Sequence, residues 1–367
     1  MTKSMVGWIR WRREKSTEPQ EPERFEPSPP EASAAPRQAG PPPSAAVEAD
    51  FAAALGIDPA AMGSGSRALT PDESALAEEV VAHFNAHRPG LASFPSIAMQ
   101  VLDVVRKPDA EVAELARLIG MDSALSVGVL VLANSPVFRG VSQIRTVKDA
   151  VARLGIQEVA RISAALSTRS LYQAGVRAEF ELFGPIWNGL YYHAVTVARA
   201  VSELAHLRRI ADPEQVFVAG MLHDVGKSIA LRSLAALVIK KRIAKQEMAS
   251  IDRVIHRVHV EVGGEVHREW LLPDHLIQIA VRHHDANVPT VPENVPIHLV
   301  RMVSALNLVR SHPNVHADAL SEITQSANAL GISPERVVSL NGTLAETEEW
   351  VRMLFGDDKG GPSSSGR

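Results

Sequence analysis

The adjacent pair His223-Asp224 is the part of this sequence whose residue types could do chemistry. It lies in the segment Gly220–Lys227, which is otherwise mostly apolar. Neutral imidazole and carboxylate are the ligand types that hold a divalent metal ion next to a phosphate or a water molecule. Neighbouring residues on a helix point about 100° apart, so the pair cannot share one helix face. We therefore expect a helix to end here, with both side chains reaching one centre and Gly226 permitting the turn.

Further histidines surround the pair at spacings that place them on several helices. Because each helix of a bundle can donate one or two ligands, this spread fits a metal site inside a helical bundle. His193 precedes the pair by one long helix. Gly263 follows His259 by four residues on the same face, where its missing side chain would let a neighbouring helix approach closely. Seven of the fourteen histidines fall in one region: His223, His256, His259, His267, His275, His283 and His284.

The same histidines admit a plainer interpretation. A buried His–Asp pair can be structural, with the imidazole N–H held by the carboxylate, so spacing alone leaves a metal centre and a structural pair open. His256 and His267 either flank the centre or are solvated. The histidines expected at the surface are His206, His275, His298, His312 and His316.

Composition narrows the classes of protein. The 367 residues carry a formal net charge of −4 and no cysteine, which excludes disulfides and thiolate metal sites and favours a cytoplasmic location. No apolar run reaches the roughly 20 residues of a membrane span, and Met1–Lys15 lacks the apolar core of a signal peptide. The balanced charge gives no whole-chain case for nucleic-acid binding. Abundant alanine, leucine and valine with few aromatic residues favour helices.

Helical signals run through nearly all of the chain after residue 69, so the predicted fold class is all-α. Thr70 and Glu73 can form a capping box before a helix that ends near Arg88. Neither hairpin signals nor alternating strands and helices are visible. Later helical stretches are predicted over 156–172, 186–207, 215–231, 234–245, 251–270, 275–284, 295–312, 316–330 and 333–355.

The chain is expected to have four parts. Residues 1–69 form a disordered tether with a Trp/Arg segment at its start, nine prolines between positions 19 and 43, and a weak helix at Ala45–Leu55. Residues 70–312 form the helical domain. Residues 313–356 form a C-terminal helical extension that could serve docking or dimerisation, and residues 357–367 form a disordered tail.

The order of several short motifs resembles the HDOD branch of the HD superfamily of metal-dependent phosphohydrolases, which is related to the HD-GYP proteins. The resemblance runs from about Pro89 to Val309, and the ordered motifs make it far more specific than a lone His-Asp pair. The motifs are Phe94–Ser96, Asp122–Leu125, Leu132–Ser135, Ala150–Gly155, Trp187–His193, Phe217–Lys227, His259–Gly263, Trp270–Pro273 and His283-His284.

The resemblance implies a compact all-helical domain with a role in bacterial signal transduction or regulation. The implied metal is Fe, Mn, Zn, Mg or Ni. The superfamily usually supplies a late aspartate, and the best-aligned position here is Asn307, whose neutral amide is a weaker ligand and cannot act as a base. The Gly-Tyr-Pro signature of the HD-GYP relatives is missing from the sequence. The implied ligands are His193, His223, Asp224, His259, His283 and His284.

Two functions follow from the resemblance. The first is a non-catalytic regulatory module that binds a partner protein or a nucleotide second messenger through a degenerate metal pocket, and Asn307 favours it. The alternative is a metal-dependent phosphohydrolase acting on a nucleotide or cyclic dinucleotide, with Asp224 bridging two metals and Lys227 steadying a phosphate oxygen. A solvated Lys227 that complements the helix dipole is the plainer interpretation of that residue.

Nucleic-acid binding has little support in the sequence, and a homodimer stays open. A basic run is most often a solvated helix face. The residues concerned are Arg161, Arg169, Arg177 and the run Lys240–Arg242.

Overall fold

The computed structural model describes residues 45–57, 68–89, 94–138, 143–311 and 317–355. These residues form helices joined by short loops, with no strand among them, and the all-α prediction is confirmed. Several predictions lie outside the described residues, namely those on the Trp/Arg segment, the proline-rich stretch, the C-terminal tail, His312 and His316.

The first half of the chain leads into one long helix that carries His193. A short 3-10 turn, Arg169–Tyr172, precedes that helix. The helices are α1 Ala45–Leu55, α2 Pro71–His87, α3 Ile97–Arg106, α4 Val112–Gly120, α5 Ser123–Ala133, α6 Val147–Leu154, α7 Ile156–Thr168 and α8 Arg177–Arg208.

The second half carries the His-Asp pair and the later histidines. A 3-10 turn, Pro292–Asn294, stands before α13. The helices are α9 Pro213–Leu222, α10 Val225–Ile239, α11 Met248–Glu269, α12 Asp274–Arg282, α13 Val295–Ser311, α14 Ala317–Ala329 and α15 Pro334–Phe355.

Short polar side chains begin several helices. The Thr70 hydroxyl accepts from the Glu73 amide at 3.2 Å while the Glu73 carboxylate accepts from the Thr70 amide at 3.0 Å, which is the predicted capping box. Asp212 caps α9 by accepting from the Glu214 amide at 2.9 Å. These bonds satisfy amides that have no partner within the helix, so the starts of α2 and α9 are fixed by local sequence.

Buried ion pairs join α7 to the two helices that follow it in the chain. Arg161 on α7 contacts Glu214 on α9 at 2.8 Å, and Arg199 on α8 contacts Glu158 on α7 at 2.8 Å. Each of these four side chains is at most 11% exposed. Removing one partner would leave a buried charge uncompensated, so the pairs fix how α7 sits against α8 and α9. The described helices belong to one compact unit.

The helix α1 differs from the predicted tether. It packs on α14 and α15, and Phe51 is buried there with only 1% of its surface exposed. Burying a phenylalanine side chain contributes roughly 1.5–3 kcal/mol. Residues 45–55 therefore belong to the helical body, and the predicted tether through residue 69 is wrong at this segment.

Three predicted helices have wrong boundaries. The stretches 215–231 and 234–245 are divided at a different place, because α9 ends at Leu222 and α10 runs from Val225 to Ile239. Hydrophobic residues continue across this break, so periodicity alone did not show it. The helix α8 begins at Arg177 rather than at residue 186, and Phe183 interrupts it with non-helical angles of φ −137° and ψ 23°.

Among the described helices, none is by itself long and apolar enough to cross a membrane. Only α4 and α5 taken together reach that length and apolarity, and they are bent by 120° at their junction.

Candidate metal centre

The His-Asp pair occupies a corner between two helices. His223 follows the last residue of α9, and its amide donates to the Ala219 carbonyl at 2.9 Å. Asp224 has φ −106° and ψ 10° and directly precedes α10. Both side chains leave from this corner, which allows adjacent residues to reach one centre as the sequence predicted.

Two glycines allow α10 and α11 to meet at backbone contact. A Cβ atom added to Gly226 would lie 2.0 Å from the His259 carbonyl oxygen and 2.7 Å from the Gly263 amide nitrogen. No side chain fits at position 226 without moving a helix backbone. This close crossing, which the spacing of His259 and Gly263 indicated, brings His259 beside Asp224.

The first half of the chain holds the corner in place. The Tyr172 hydroxyl, fully buried, donates to the Met221 carbonyl at the end of α9. The Ser228 hydroxyl on α10 donates to the Leu171 carbonyl at 2.7 Å. These contacts from the 3-10 turn fix both helices of the corner, and no sequence pattern predicts them.

Four histidines surround Asp224 in two groups, one at each carboxylate oxygen. Asp224 Oδ2 lies 3.3 Å from His193 Nε2 and 3.4 Å from His223 Nε2. Asp224 Oδ1 lies 3.3 Å from His259 Nε2 and 3.4 Å from His283 Nε2. We call these the Oδ2 group and the Oδ1 group, and His284 joins the Oδ1 group. The structure thus brings together all six residues that the resemblance implied as ligands.

Hydrogen bonds on the far side of each ring fix the tautomers. The Nδ1 atoms of His223, His259 and His283 donate to main-chain carbonyl oxygens at 2.9, 2.6 and 3.0 Å. Carbonyl oxygens only accept, so each Nδ1 carries the proton and each Nε2 presents a lone pair toward Asp224. This is the orientation that outer hydrogen bonds give to metal-binding histidines.

The Oδ1 group consists of electron-rich atoms with no proton between them. His259 Nε2 and His283 Nε2 are 3.2 Å apart, and both face Asp224 Oδ1. Asp224 Oδ1 and His284 Nε2 are buried and accept no hydrogen bond. Such unsatisfied buried acceptors are costly unless a cation joins them. The residues present therefore fit a divalent metal ion held by three imidazoles and a carboxylate oxygen.

Protein donors already occupy the Oδ2 group. The Lys227 ammonium donates to Asp224 Oδ2 at 2.6 Å. The Ser304 hydroxyl lies 3.2 Å from both His193 Nε2 and His223 Nε2. The Oδ2 group thus has two protein donors, an ammonium at the carboxylate and a hydroxyl whose one proton goes to one of the two imidazoles, whereas the Oδ1 group has no such donor. Ser304 is a site residue that the sequence analysis missed, because serine carries no metal-ligand signal.

Asn307 does not stand at a ligand position on the metal-facing side of His193. Its Oδ1 accepts from His193 Nδ1 at 2.6 Å, and its amide nitrogen donates to the Glu348 carboxylate. The predicted weakened ligand therefore lies behind the histidine and orients it. Ser304, one helical turn earlier on α13, is the residue that faces the centre.

Burial sets the protonation of the pocket. It lowers the pKa of His223 to about 3 and holds the pKa of His259 and of His284 well below the ordinary range. For Asp224 burial acts to raise the pKa, but the Lys227 ammonium 2.6 Å from Oδ2 opposes it, and the carboxyl pKa lies well below its usual range. Neutral imidazoles and an ionised carboxylate are the forms in which these groups bind metals.

The other histidines considered in the sequence differ in their burial. His256 lies beside the ring of His284 at 4.7 Å between centroids and is partly buried. His206 and His275 are exposed, as predicted. His298 is only 4% exposed, so its predicted surface position is wrong, and His267 is buried rather than solvated. Both are enclosed by helices that meet only in the folded chain.

Three of the basic residues considered for nucleic-acid binding contact other side chains of this protein, and the basic run is exposed. Arg161 pairs with Glu214, and Arg177 pairs with Glu181 at 2.7 Å. The Arg169 guanidinium lies 5.5 Å from the ring centre of Tyr191. The run Lys240–Arg242 is exposed.

His267 makes the fold sensitive to acid. Its Nδ1 donates to the Gly263 carbonyl at 2.7 Å, and burial lowers its pKa from 6.5 to about 4. The unfolded chain therefore binds more protons than the folded chain between these values. The contribution of neutral His267 to the free energy of unfolding is complete above pH 6.5. It is lost as the pH falls toward 4, by up to about 1.4 kcal/mol per pH unit.

We expect the metal-free protein to lose about 2 kcal/mol more between pH 7 and pH 5 than the variant His267→Gln, which cannot titrate. Urea unfolding at pH 7, 6 and 5 measures the difference. Parallel pH profiles for the two proteins would contradict the assignment of a neutral buried His267.

An all-helical chain whose His-Asp corner is surrounded by histidines from neighbouring helices has the architecture of the HD class of proteins. The model of the HDOD domain family matches residues 91–286, a little over half of the 367 residues. The chain belongs to the HDOD domain family.

Solved structures have the same fold at low sequence identity. An HDOD domain protein of unknown function from Geobacter sulfurreducens is 21% identical, with a TM-score of 0.56 over 76% of this chain and 99% of that chain. A proposed metal-dependent phosphohydrolase from Shewanella amazonensis SB2B is 17% identical, with a TM-score of 0.53 over 76% of this chain and 100% of that chain. A proposed signal transduction protein from Marinobacter aquaeolei VT8 is 18% identical, with a TM-score of 0.51 over 84% of this chain and 66% of that chain.

Two curated relatives match over shorter lengths. An uncharacterized protein from Treponema pallidum (strain Nichols) is 25% identical over 211 residues, which are 55% of this chain and 39% of that protein. Ribonuclease Y from Pseudothermotoga lettingae is 26% identical over 118 residues, which are 32% of this chain and 18% of the enzyme. The chain thus spans well under half the length of either relative.

Proposed function

We propose that this chain is a regulatory HDOD module of a bacterial signalling system, whose pocket holds one divalent metal ion and does not hydrolyse phosphate esters. The observation that carries the proposal is the contrast between the two groups around Asp224. Lys227 and Ser304 supply donors to the Oδ2 group, while the Oδ1 group converges without a donor. One cation then completes the pocket.

The metal would be held by Asp224 Oδ1 with His259, His283 and His284. Three imidazoles and one carboxylate suit Zn, Fe, Mn or Ni better than Mg, which prefers oxygen ligands. When bound, such an ion supplies Lewis acidity and a fixed positive charge. In a regulatory module the same charge fixes α11 and α12 to the His-Asp corner and offers a contact for an anionic partner group.

The partner in this proposal is a signalling protein or a nucleotide second messenger. The structural neighbour from Marinobacter aquaeolei VT8, a proposed signal transduction protein, supports that context. Lys227 supports an anionic partner group, because its side chain is 21% exposed while that of Asp224 is 1% exposed. Lys227 is therefore the member of the Asp224–Lys227 pair that a ligand can reach.

A metal-dependent phosphohydrolase is the second candidate function, with Asp224 and Lys227 as its catalytic candidates. The observation that favours it is the division of the histidines between the two oxygens of one carboxylate, which would suit two metal ions. Against it stands Ser304, which faces the Oδ2 group where a carboxylate would help hold a second ion. Asp224 is the one carboxylate in either group of described residues.

Metal content and turnover separate the two functions. For the regulatory module we expect one equivalent of metal per chain by elemental analysis of the freshly purified full-length protein. With Mn²⁺ added, the wild-type protein should hydrolyse bis(p-nitrophenyl) phosphate and cyclic dinucleotides no faster than the His223→Ala variant does. Two equivalents of metal, together with metal-dependent turnover that His223→Ala abolishes, would establish the phosphohydrolase instead.

A further inference from the structure

The C-terminal helices α14 and α15 return to the pocket although they lie beyond the family match at 91–286. Each contributes one carboxylate that reaches a histidine of the pocket, directly or through one amide. The two carboxylates belong to Glu322 on α14 and Glu348 on α15. The sequence predicted this extension as a docking or dimerisation element and gave no reason to connect it with the histidines.

Glu322 contacts a histidine of the Oδ1 group directly. Its Oε1 accepts from His284 Nδ1 at 2.7 Å, and the residue is only 7% exposed. A carboxylate only accepts, so the proton of His284 stays on Nδ1 and its lone pair stays on Nε2. That Nε2 is buried and makes no hydrogen bond. The side chain that Glu322 orients therefore presents an unused ligand atom to the Oδ1 group.

Glu348 contacts the Oδ2 group indirectly, through the side chain of Asn307. It accepts from the Asn307 amide, and Asn307 in turn accepts from His193 Nδ1 at 2.6 Å. His193 belongs to the Oδ2 group, to which Lys227 and Ser304 supply donors. The two carboxylates of the extension thus brace different groups, which makes Glu348 a matched control for Glu322.

We propose that Glu322 is a positioning residue of the metal pocket, so that the C-terminal extension completes the ligand set that the HDOD region supplies. This inference rests on the proposed metal site. A carboxylate behind a ligand histidine fixes the ring and raises the basicity of the opposite nitrogen, and losing such a partner typically weakens metal binding about 10–100-fold. Arg301, which is 3% exposed, lies close enough to Glu322 to interact with it electrostatically.

The test is the affinity of the metal-free full-length protein for Zn²⁺, measured by competition with a chromophoric chelator. We expect Glu322→Ala to bind Zn²⁺ about 10–100-fold more weakly than wild type. Glu322→Gln should fall between them, because its amide oxygen still accepts from His284 but carries no charge. Glu348→Gln and Asp318→Asn, an exposed position on α14, should bind as wild type does.

Three outcomes would overturn the proposal. Wild-type affinity in Glu322→Ala would remove Glu322 from the site while leaving the metal site intact. Equal weakening in Glu322→Gln and Glu348→Gln would show general loosening of α14 and α15. A wild-type protein that binds no Zn²⁺ would overturn the metal site itself and the role of Glu322 with it.

A second measurement is independent of metal. In the metal-free protein labelled with ¹⁵N-histidine, we expect a slowly exchanging Nδ1–H signal from His284 that persists in Glu348→Gln and disappears in Glu322→Ala. If Glu322→Ala fails to fold, Glu322→Gln provides the affinity result, with at least several-fold weakening expected. Survival of the His284 signal in Glu322→Ala would contradict the hydrogen bond.

Discussion

Replacing Asp224 with asparagine is expected to weaken Zn²⁺ binding by more than about 100-fold. Loss of a residue that only hydrogen-bonds to a metal ligand weakens binding by up to about 100-fold, and Asp224 is itself a proposed ligand. The carboxylate supplies the negative charge to which His259 and His283 converge at 3.3 and 3.4 Å. An amide keeps the shape of the side chain but removes that charge. Titration of the metal-free variant with Zn²⁺ against a competing chelator measures the change.

Lys227→Met is the matched control for that prediction. It removes the ammonium that lies 2.6 Å from Asp224 Oδ2 and leaves the carboxylate in place. Because a nearby positive charge opposes a bound cation, Lys227→Met should bind Zn²⁺ at least as tightly as wild type. Unchanged Zn²⁺ affinity in Asp224→Asn would place the metal elsewhere or exclude it.

Replacing Gly226 with alanine is expected to destabilise the fold by about 3 kcal/mol and to weaken Zn²⁺ binding as well. The added Cβ would lie 2.0 Å from the His259 carbonyl oxygen, which is main chain and cannot rotate away. The helices α10 and α11 would have to separate, and His259 would move away from Asp224. Urea unfolding and Zn²⁺ titration of the same sample measure both effects.

Gly189→Ala provides the comparison for this substitution. Gly189 is an exposed helical glycine on α8, one turn before His193, and a Cβ there would meet no atom within 4 Å. Alanine in an exposed helix interior should stabilise the fold by up to about 1 kcal/mol. If Gly226→Ala instead unfolded at the same urea concentration as wild type, the close crossing of α10 and α11 would be wrong.

The sequence by itself determined the features that depend on neighbouring residues. The Thr70 capping box requires only residues three apart, and the all-α class follows from hydrophobic spacing within each helix. The corner at His223-Asp224 followed from the angle between adjacent helical residues. Gly263 marked the close approach because it shares a helix face with His259. The ordered motifs then indicated the HDOD family, and with it the six residues that the structure brings together.

Only the tertiary structure decided what stands behind and between those residues. Ser304 faces the Oδ2 group. Asn307 lies behind His193, whereas the family resemblance predicts it as a weakened ligand. Glu322 reaches His284 from a helix 38 positions later in the chain. Such contacts join residues that are far apart in sequence, and their side chains carry no local pattern. They are set by how helices cross, which depends on packing throughout the core.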